Sequence, residues 1–419
     1  ICLDPSMFQP GQMVVAGSGD QQNYLSQQDI ENLPCTAQTI LTQDDWPLDA
    51  FVSTPVLKVS DLDQAVLSMA TYARAQLLGK VIGITGNAGK TTTLAMLSQA
   101  LSPYGKVSHS KHDATQTKDL VEHIASMPWD TDFTILEMPV SDLAHSATVV
   151  KPDIAILINA SEAQSIFAAM GPDSYAIINR DMPEWDTVSQ AAEAKSLRII
   201  SFGEHEDSDI RLLDIVPDTG VVMAKVIDQE TSFVLNCAGP HMAMNALACL
   251  GVTYALELQR APVEGIFSLF QPLSSRGEVL RLTIKGDPFT VIDDTYSANP
   301  SSMKASFQAL ESQKARRKLL ILGDMQDAYG ASDQEHEALI PLIKAVNPRV
   351  VFLIGDRMEK IQPMLKEAGV NSHFRKNITM IKRAVTNFLK KDDIVLFKSS
   401  QGVGLHEAVE HLTNLKPEE

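Results

Sequence analysis

Cysteine, net positive charge and long apolar runs are all scarce in this chain, and each shortage removes a class of protein. Four cysteines, Cys2, Cys35, Cys237 and Cys249, lie scattered over 419 residues without metal-type spacing. That excludes a disulfide scaffold or a zinc ribbon and implies free thiols in a reducing compartment, with the cytoplasm as the default location. Lys plus Arg number 35 against 52 Asp plus Glu, a formal net charge of −17, whereas a nucleic-acid or anionic-membrane surface needs the opposite sign. An anionic ligand must therefore meet a local basic pocket. No stretch approaches the roughly 20 apolar residues of a membrane span, and no charged-then-apolar leader opens the chain. The first residue is Ile1 rather than Met, so a processed or trimmed start is expected. Low-complexity tracts and short-period repeats are also missing.

What is present is ordinary globular composition, 44% hydrophobic and 21% charged, on a chain too long for one core. Two or three domains are expected. Residues 1–76 carry short apolar runs such as Met13-Val14-Val15-Ala16 among Pro and Gly turns, ending in a helical pattern over Leu62 to Leu78 with Val66, Met69, Ala70 and Ala73 on one face. Residues 77–270 alternate strands (Val81–Thr85, Phe133–Glu137, Ile154–Asn159, Ala176–Asn179, Arg198–Phe202) with helices, which implies a mostly parallel sheet with helices on both faces. Ile210 to Leu235 reads as an antiparallel appendage with a turn at Pro217-Asp218, and a helix begins near His241. Residues 271–419 repeat the α/β signature, with strands at Phe289–Ile292, Lys318–Leu322, Val350–Ile354 and Ile394–Phe397. The fold expected is α/β in three domains: a small N-terminal α/β domain, a central P-loop-type sheet and a C-terminal Rossmann-like domain.

The chemistry centres on Val81-Ile82-Gly83-Ile84-Thr85-Gly86-Asn87-Ala88-Gly89-Lys90-Thr91-Thr92-Thr93. An apolar strand breaks into a glycine turn and feeds a helix over Lys90 to Leu101. Gly86 and Gly89 let successive N–H groups face one anion, toward which the helix points its positive end. Lys90 then reaches the outer phosphates and Thr91 offers a hydroxyl to Mg²⁺. The usual G-x-x-x-x-G-K-[ST] formula is not met, because Ile84 stands where its first glycine belongs. Glu137 ends an apolar strand, where a carboxylate suits the rim of the sheet and a metal ion. No N-K-x-D-type base-reading motif of a GTPase is seen.

The shortened T-G-x-x-G-K-T-T loop resembles that of the Mur ligases and the related folylpolyglutamate synthetases, which join a carboxylate to an amine at the expense of ATP. Further motifs are similar to the same family and occur in its order. Gly239-Pro240-His241-Met242-Ala243-Met244-Asn245-Ala246 resembles G-x-H-N-x-x-N-A, and Ser275-Arg276-Gly277 stands where the family has its P-G-R hinge. Asp293-Asp294-Thr295-Tyr296-Ser297-Ala298-Asn299-Pro300 closely resembles D-D-S-Y-N-A-N-P, and Gly323-Asp324-Met325 with His336 resembles G-D-M…H. Both are typical of the branch that adds a dipeptide to a UDP-muramoyl peptide in peptidoglycan precursor synthesis. The resemblance implies ATP and Mg²⁺ as cofactors, with Thr85, Gly86, Asn87, Ala88, Gly89, Lys90, Thr91, Thr92, Asn245, Arg276, Asp294, Tyr296 and Asn299 around the nucleotide. It implies Thr91 and Glu137 on the metal, and Lys90, Glu137 and Arg276 in catalysis. Small-molecule carboxylate and amine substrates, a monomer, no nucleic acid and no membrane span complete the expectation.

The departures fall on substrate and second-metal groups. The Asp4-Pro5-Ser6-Met7-Phe8-Gln9-Pro10-Gly11 turn lacks the family's arginine, nothing around Ser108 to Asp113 matches G-N-x-N-N, and His109 and His112 without a third ligand read as solvent-facing. Pro139-Val140-Ser141-Asp142 replaces G-A-N-H, and Lys398-Ser399-Ser400-Gln401 replaces K-G-S-R. Gln164 stands at a family histidine, and Ser165 runs straight into Ile166 where the family inserts a loop with a carbamylated lysine, so either that loop is lost or the sequence skips it. Two alternatives follow: the same ligase chemistry on a non-peptidoglycan substrate, or a nucleotide-binding pseudoligase with a scaffold role.

Overall fold

The computed structural model describes residues 1–3, 5, 8–17, 24–34, 36–44, 54–110, 117–159, 162–216, 219–235, 239–284, 286–325 and 332–415. Asp4, Ser6, Met7, Cys35, Lys111, His112, Asp113, Pro217, Asp218 and Cys237 fall outside them. The chain forms two compact units. Ile1–Gly86, Leu101–Ile177 and Pro183–Ile199 make the first; Asn87–Ala100, Ile178–Met182 and Ile200–Glu419 make the second.

The first unit opens with strand β1 (Met13–Ala16), the short helix α1 (Gln27–Glu31), β2 (Thr39–Thr42) and β3 (Val56–Lys58), paired in parallel as β1-β2-β3. Cys2, Phe8, Val14, Leu25, Ile30 and Ile40 form a small core around them. Helix α2 (Leu62–Gln76) follows, N-capped by Asp61, burying Leu62, Val66, Ala70 and Ala73 at helical spacing. Met69, expected on that face, is half-buried. The Arg74 guanidinium donates to the Val150 and Lys151 carbonyls at 2.7 and 2.6 Å and pairs with Asp153 at 3.2 Å, while Asp153 accepts from Val81 N–H at 2.9 Å. This helix end is thus tied to the strand that follows it.

That strand is β4 (Lys80–Thr85), followed by α3 (Lys90–Leu101), β5 (Val107–His109), α4 (Thr117–Ser126), β6 (Phe133–Glu137), α5 (Leu143–Val150) and β7 (Ile154–Leu157). Strands β5-β6-β4-β7 run side by side in parallel. Their near-continuous apolar runs suit a sheet covered on both faces. The unit boundaries cut β8 (Tyr175–Asn179) and β9 (Arg198–Gly203), which flank α6 (Trp185–Ala194). Between β7 and β8 the segment Ala163–Ala169 is one unbroken 3₁₀ helix through Ser165 and Ile166.

In the second unit β9 pairs in parallel with β10 (Ile210–Val216), and β10, β11 (Val221–Val226) and β12 (Gln229–Val234) form the expected antiparallel meander, with a bulge between Leu212 and Asp214. Helices α7 (Pro240–Ala255) and α8 (Arg260–Phe267) follow. The rest is a six-stranded sheet of order β13-β14-β18-β15-β16-β17, parallel except for the hairpin of β13 (Glu278–Ile284) with β14 (Asp287–Asp294). Helix α9 (Pro300–Ser312) leads to β15 (Arg317–Gly323), then come α10 (Asp333–Glu337), α11 (Leu339–Val346), β16 (Val350–Ile354), α12 (Asp356–Glu367), β17 (Ser372–Phe374), α13 (Ile378–Phe388), β18 (Asp393–Lys398) and α14 (His406–Thr413).

Alternate residues of the central strands feed opposite cores. Leu320, Leu322, Val351, Leu353 and Leu396 pack with α9, α11 and α12, whereas Leu319, Ile321, Val350, Phe352, Val395 and Phe397 pack with α13 and α14. A period of two along an all-apolar strand sends side chains to both faces, so helices must cover both. β13 and β17 were not foreseen, because β13 alternates half-buried and exposed positions and carries no continuous apolar run.

Candidate active site

Strand β4 dictates where the chain turns. Every residue after Lys80 is buried, and the neighbours follow it to its last residue: Met138 N–H donates to the Ile84 carbonyl at 2.8 Å and Ile158 N–H to that of Thr85 at 3.1 Å. Gly86 then bends away at φ 151°. A Cβ there would lie 3.1 Å from Asn159 Oδ1 and 3.2 Å from Ile158 Cβ, so both the angle and the space call for glycine. Gly89, at φ 89°, places its carbonyl to accept Thr93 N–H at 2.9 Å, starting α3. Asn87 is exposed, Ala88, Lys90 and Thr92 are half-buried, and Thr91 is buried. Thr85 Oγ1 is buried with no hydrogen-bond partner among the described residues, the condition of a polar group that a ligand completes.

Glu137 closes β6 opposite Ile84. At 2% exposure it is not a solvated strand end, and its N–H donates to Ser110 Oγ at 3.0 Å. His109 sets Nδ1 2.9 Å from the Ser110 carbonyl. No group of three His, Cys, Asp or Glu suited to a metal occurs among the described residues.

The second unit carries the remaining candidates. The strip around Arg276 is pinned by Asp293, whose Oδ2 accepts from Ser275 Oγ at 3.0 Å and whose Oδ1 accepts from Thr295 Oγ1 at 2.7 Å. Burial, the largest effect, holds this carboxyl above its ordinary pKa against those hydrogen bonds. Tyr296 N–H donates to the Ser275 carbonyl at 3.0 Å, and the Arg276 guanidinium lies 3.8 Å from the Tyr296 ring centroid. Arg276 is therefore held over the tyrosine ring.

Asp294 is engaged within the protein. Its Oδ2 accepts from Ser306 Oγ at 2.5 Å and pairs with Lys398 Nζ at 2.8 Å, while Nζ also donates to the Ser297 carbonyl at 2.7 Å. Lys398 has a side chain only 2% exposed. Asn299 is engaged at both ends: Oδ1 caps α9 by accepting Ser302 N–H at 2.9 Å, and Nδ2 donates to the Asn87 carbonyl of the glycine loop at 3.1 Å. The expected amide thus reaches the loop while the expected acid is tied to Ser306 and Lys398, and both hold protein groups rather than standing open.

On α7, Asn245 is 4% exposed, with Nδ2 at 3.9 Å from Met242 Sδ. Cys249 Sγ sits 3.9 Å from the Thr93 carbonyl, so α7 touches α3 at this point; burial pushes its thiol pKa up. His241 Nδ1 is buried without a partner among the described residues. Desolvation lowers its pKa, opposed by Asp294 and assisted by Lys398.

The G-D-M…H motif is structural. Asp324 Oδ1 accepts Met358 N–H at 2.9 Å, capping α12, and its carboxyl fills the space a Cβ on Gly355 would need. Buried His336 accepts Met325 N–H at Nε2, 3.1 Å, so its proton is on Nδ1, which donates to the Ser332 carbonyl at 3.0 Å. Sequence reasoning quoted Asp293 and Lys398 within motifs without giving either a role, and passed over Ser306. The signal for Lys398 was present: like Glu137, it is a charge closing an apolar strand.

Comparison with known proteins agrees with these motifs. The family model described as Mur ligase middle domain matches residues 84–164 and 160–253, and that described as Mur ligase, glutamate ligase domain matches 276–401. The UDP-N-acetylmuramoyl-tripeptide–D-alanyl-D-alanine ligase of Rickettsia prowazekii is 25% identical over 429 residues, covering 96% of this chain and 92% of that protein. In fold, the crystal structure of MurF from Acinetobacter baumannii superposes with a TM-score of 0.83 at 20% identity, over 99% of this chain and 93% of that one. The MurF ligase of Thermotoga maritima in complex with ADP gives 0.80 at 20% identity, over 98% and 96%.

Proposed function

The chain belongs to the Mur ligase family, and from that premise we propose that it joins D-alanyl-D-alanine to a UDP-N-acetylmuramoyl-tripeptide at the expense of ATP. It is an ATP-dependent, ADP-forming ligase. The carboxylate of the first substrate attacks the γ-phosphoryl group, ADP leaves, and the amine of the second displaces phosphate from the acyl phosphate. What supports this reading most is the 3.1 Å hydrogen bond from Asn299 to the Asn87 carbonyl, which joins the glycine loop to the most family-specific segment of the chain.

Bound MgATP supplies the transferable phosphoryl group and the cation that screens its charge. The N–H groups from Gly86 to Lys90 and the head of α3 bind the phosphates, and Lys90 neutralises charge on the group in transit. Thr91 and Glu137 hold Mg²⁺, while Thr85 contributes its hydroxyl to the phosphate cradle. Thr92 supports the first turn, Asn245 holds the adenine, and Asn299 sets the position of Asn87 and Ala88. Arg276, kept on Tyr296, adds a cation to the transferred group. Asp294 acts with Lys398 to hold the Ser297 to Asn299 strip in place. We assign residues 1–76 to binding the UDP-linked substrate, 77–270 to ATP and 271–419 to the amine. The enzyme acts as a monomer in the cytoplasm.

Phosphate release with UDP-N-acetylmuramoyl-tripeptide, D-alanyl-D-alanine and MgATP tests the reading. One phosphate should appear per amide bond, and Lys90→Ala should reduce turnover by roughly a hundredfold or more. Turnover unchanged in that variant refutes the mechanism. The altered acceptor motifs favour a shifted substrate, and Gln164 at the family's histidine with no lysine after it favours a scaffold. Release with another acid and amine identifies the first; nucleotide binding without release with any pair identifies the second.

A further inference from the structure

A cavity of about 430 Å³ lies in the second unit between the meander and the start of α7, and no candidate nucleotide residue lines it. Its apolar wall is made by Leu212, Ile215, Val222, Leu235, Pro240 and Ala243. The volume falls in the range of roughly 300–1,000 Å³ over which proteins hold small organic ligands. Arg211 supplies the cavity's cation.

This arginine is uncompensated. Its Nε is buried with no hydrogen-bond partner, and the side chain makes no ion pair among the described residues. Its cross-strand neighbours explain why. On one side stands Lys225, which faces Glu230 on β12; on the other stands Gly203, which has no side chain to offer. A buried guanidinium N–H without an acceptor is costly, so the site favours a ligand that brings one. Two carboxylates, Glu204 and Asp214, also border the cavity, both exposed, and the Asp214 carboxylate accepts Ile215 N–H at 2.8 Å. They oppose a polyanion such as a nucleotide several times more strongly than a single negative charge.

We propose that this cavity binds a small monoanion with an apolar body, a carboxylate whose head pairs with Arg211 and whose tail lies against Ala243 and Val222. The site is separate from the ATP site, so it stands or falls independently of the ligase reading. Calorimetry on the full chain with octanoate, octan-1-ol and octylammonium decides. Octanoate should bind saturably at one site per chain, at least about tenfold more tightly than either analogue, the worth of a charged hydrogen bond. Arg211→Gln should weaken octanoate about tenfold while leaving nucleotide-dependent phosphate release unchanged. Absence of saturable octanoate binding, equal affinity for octylammonium, or full affinity in a folded Arg211→Gln overturns the proposal. Should that variant fail to fold by circular dichroism, the comparison of the three ligands on the unaltered protein decides alone.

Discussion

Lys398 shows how a residue that motif comparison names without a role can hold a site together. It ends a strand whose preceding residues, Val395 to Phe397, are fully buried, and its ammonium has nowhere to go but Asp294 and the Ser297 carbonyl. Removing one partner of such a pair leaves a charge stranded in low dielectric. Lys398→Met should therefore cost about 3–5 kcal/mol in urea unfolding, and Asp294→Leu added to it should restore much of that stability. His241 gives a pH signature from the same cluster. Burial lowers its folded pKa below the ordinary 6.5, so below pH 6.5 the unfolded chain binds the proton more readily and stability is lost as pH falls; above it the two states match. Urea midpoints should drop between about pH 7 and about pH 5, and His241→Phe should flatten that drop. Asp293 has the opposite sign: its carboxyl is raised above 3.8 by burial, so its contribution is complete below 3.8 and fades as pH rises through the folded value.

At the scale of elements, the glycine loop depends on what abuts it. Gly86→Ala would force a Cβ into Asn159 and an angle that L-residues avoid, so nucleotide affinity should fall while the sheet persists by circular dichroism. Asn299 does two jobs that substitution separates. Asn299→Ser keeps a residue able to cap α9 but cannot span to the Asn87 carbonyl, so stability should stay within about 0.5 kcal/mol while KM for ATP rises. Asn299→Ala should lose about 1 kcal/mol as well. If both variants keep the KM for ATP of the unaltered protein, the loop contact is idle. The loop strand and its helix were legible because an apolar run, two glycines and a lysine leave one local solution. β13 escaped because an exposed alternating edge strand resembles a polar loop until β14 is set beside it.

Across the whole molecule, ligand binding and folding are linked. A nucleotide held at a hundred times its dissociation constant should stabilise the protein by about 2.7 kcal/mol, seen as a raised melting temperature that Lys90→Ala abolishes. The α/β class, the order of the parallel strands along the chain, the glycine turn and the family were determined by the sequence alone, since they rest on periodicity, backbone angles and residues adjacent in the chain. Which charges are satisfied was decided only by the tertiary structure. Asp294 and Lys398 are joined across more than a hundred residues, the Asn299 amide closes on a loop 212 positions away, and Arg211 lacks a partner because its neighbours on the flanking strands are a lysine and a glycine. Pairing between distant side chains depends on strand register and helix docking, and no local spacing encodes either.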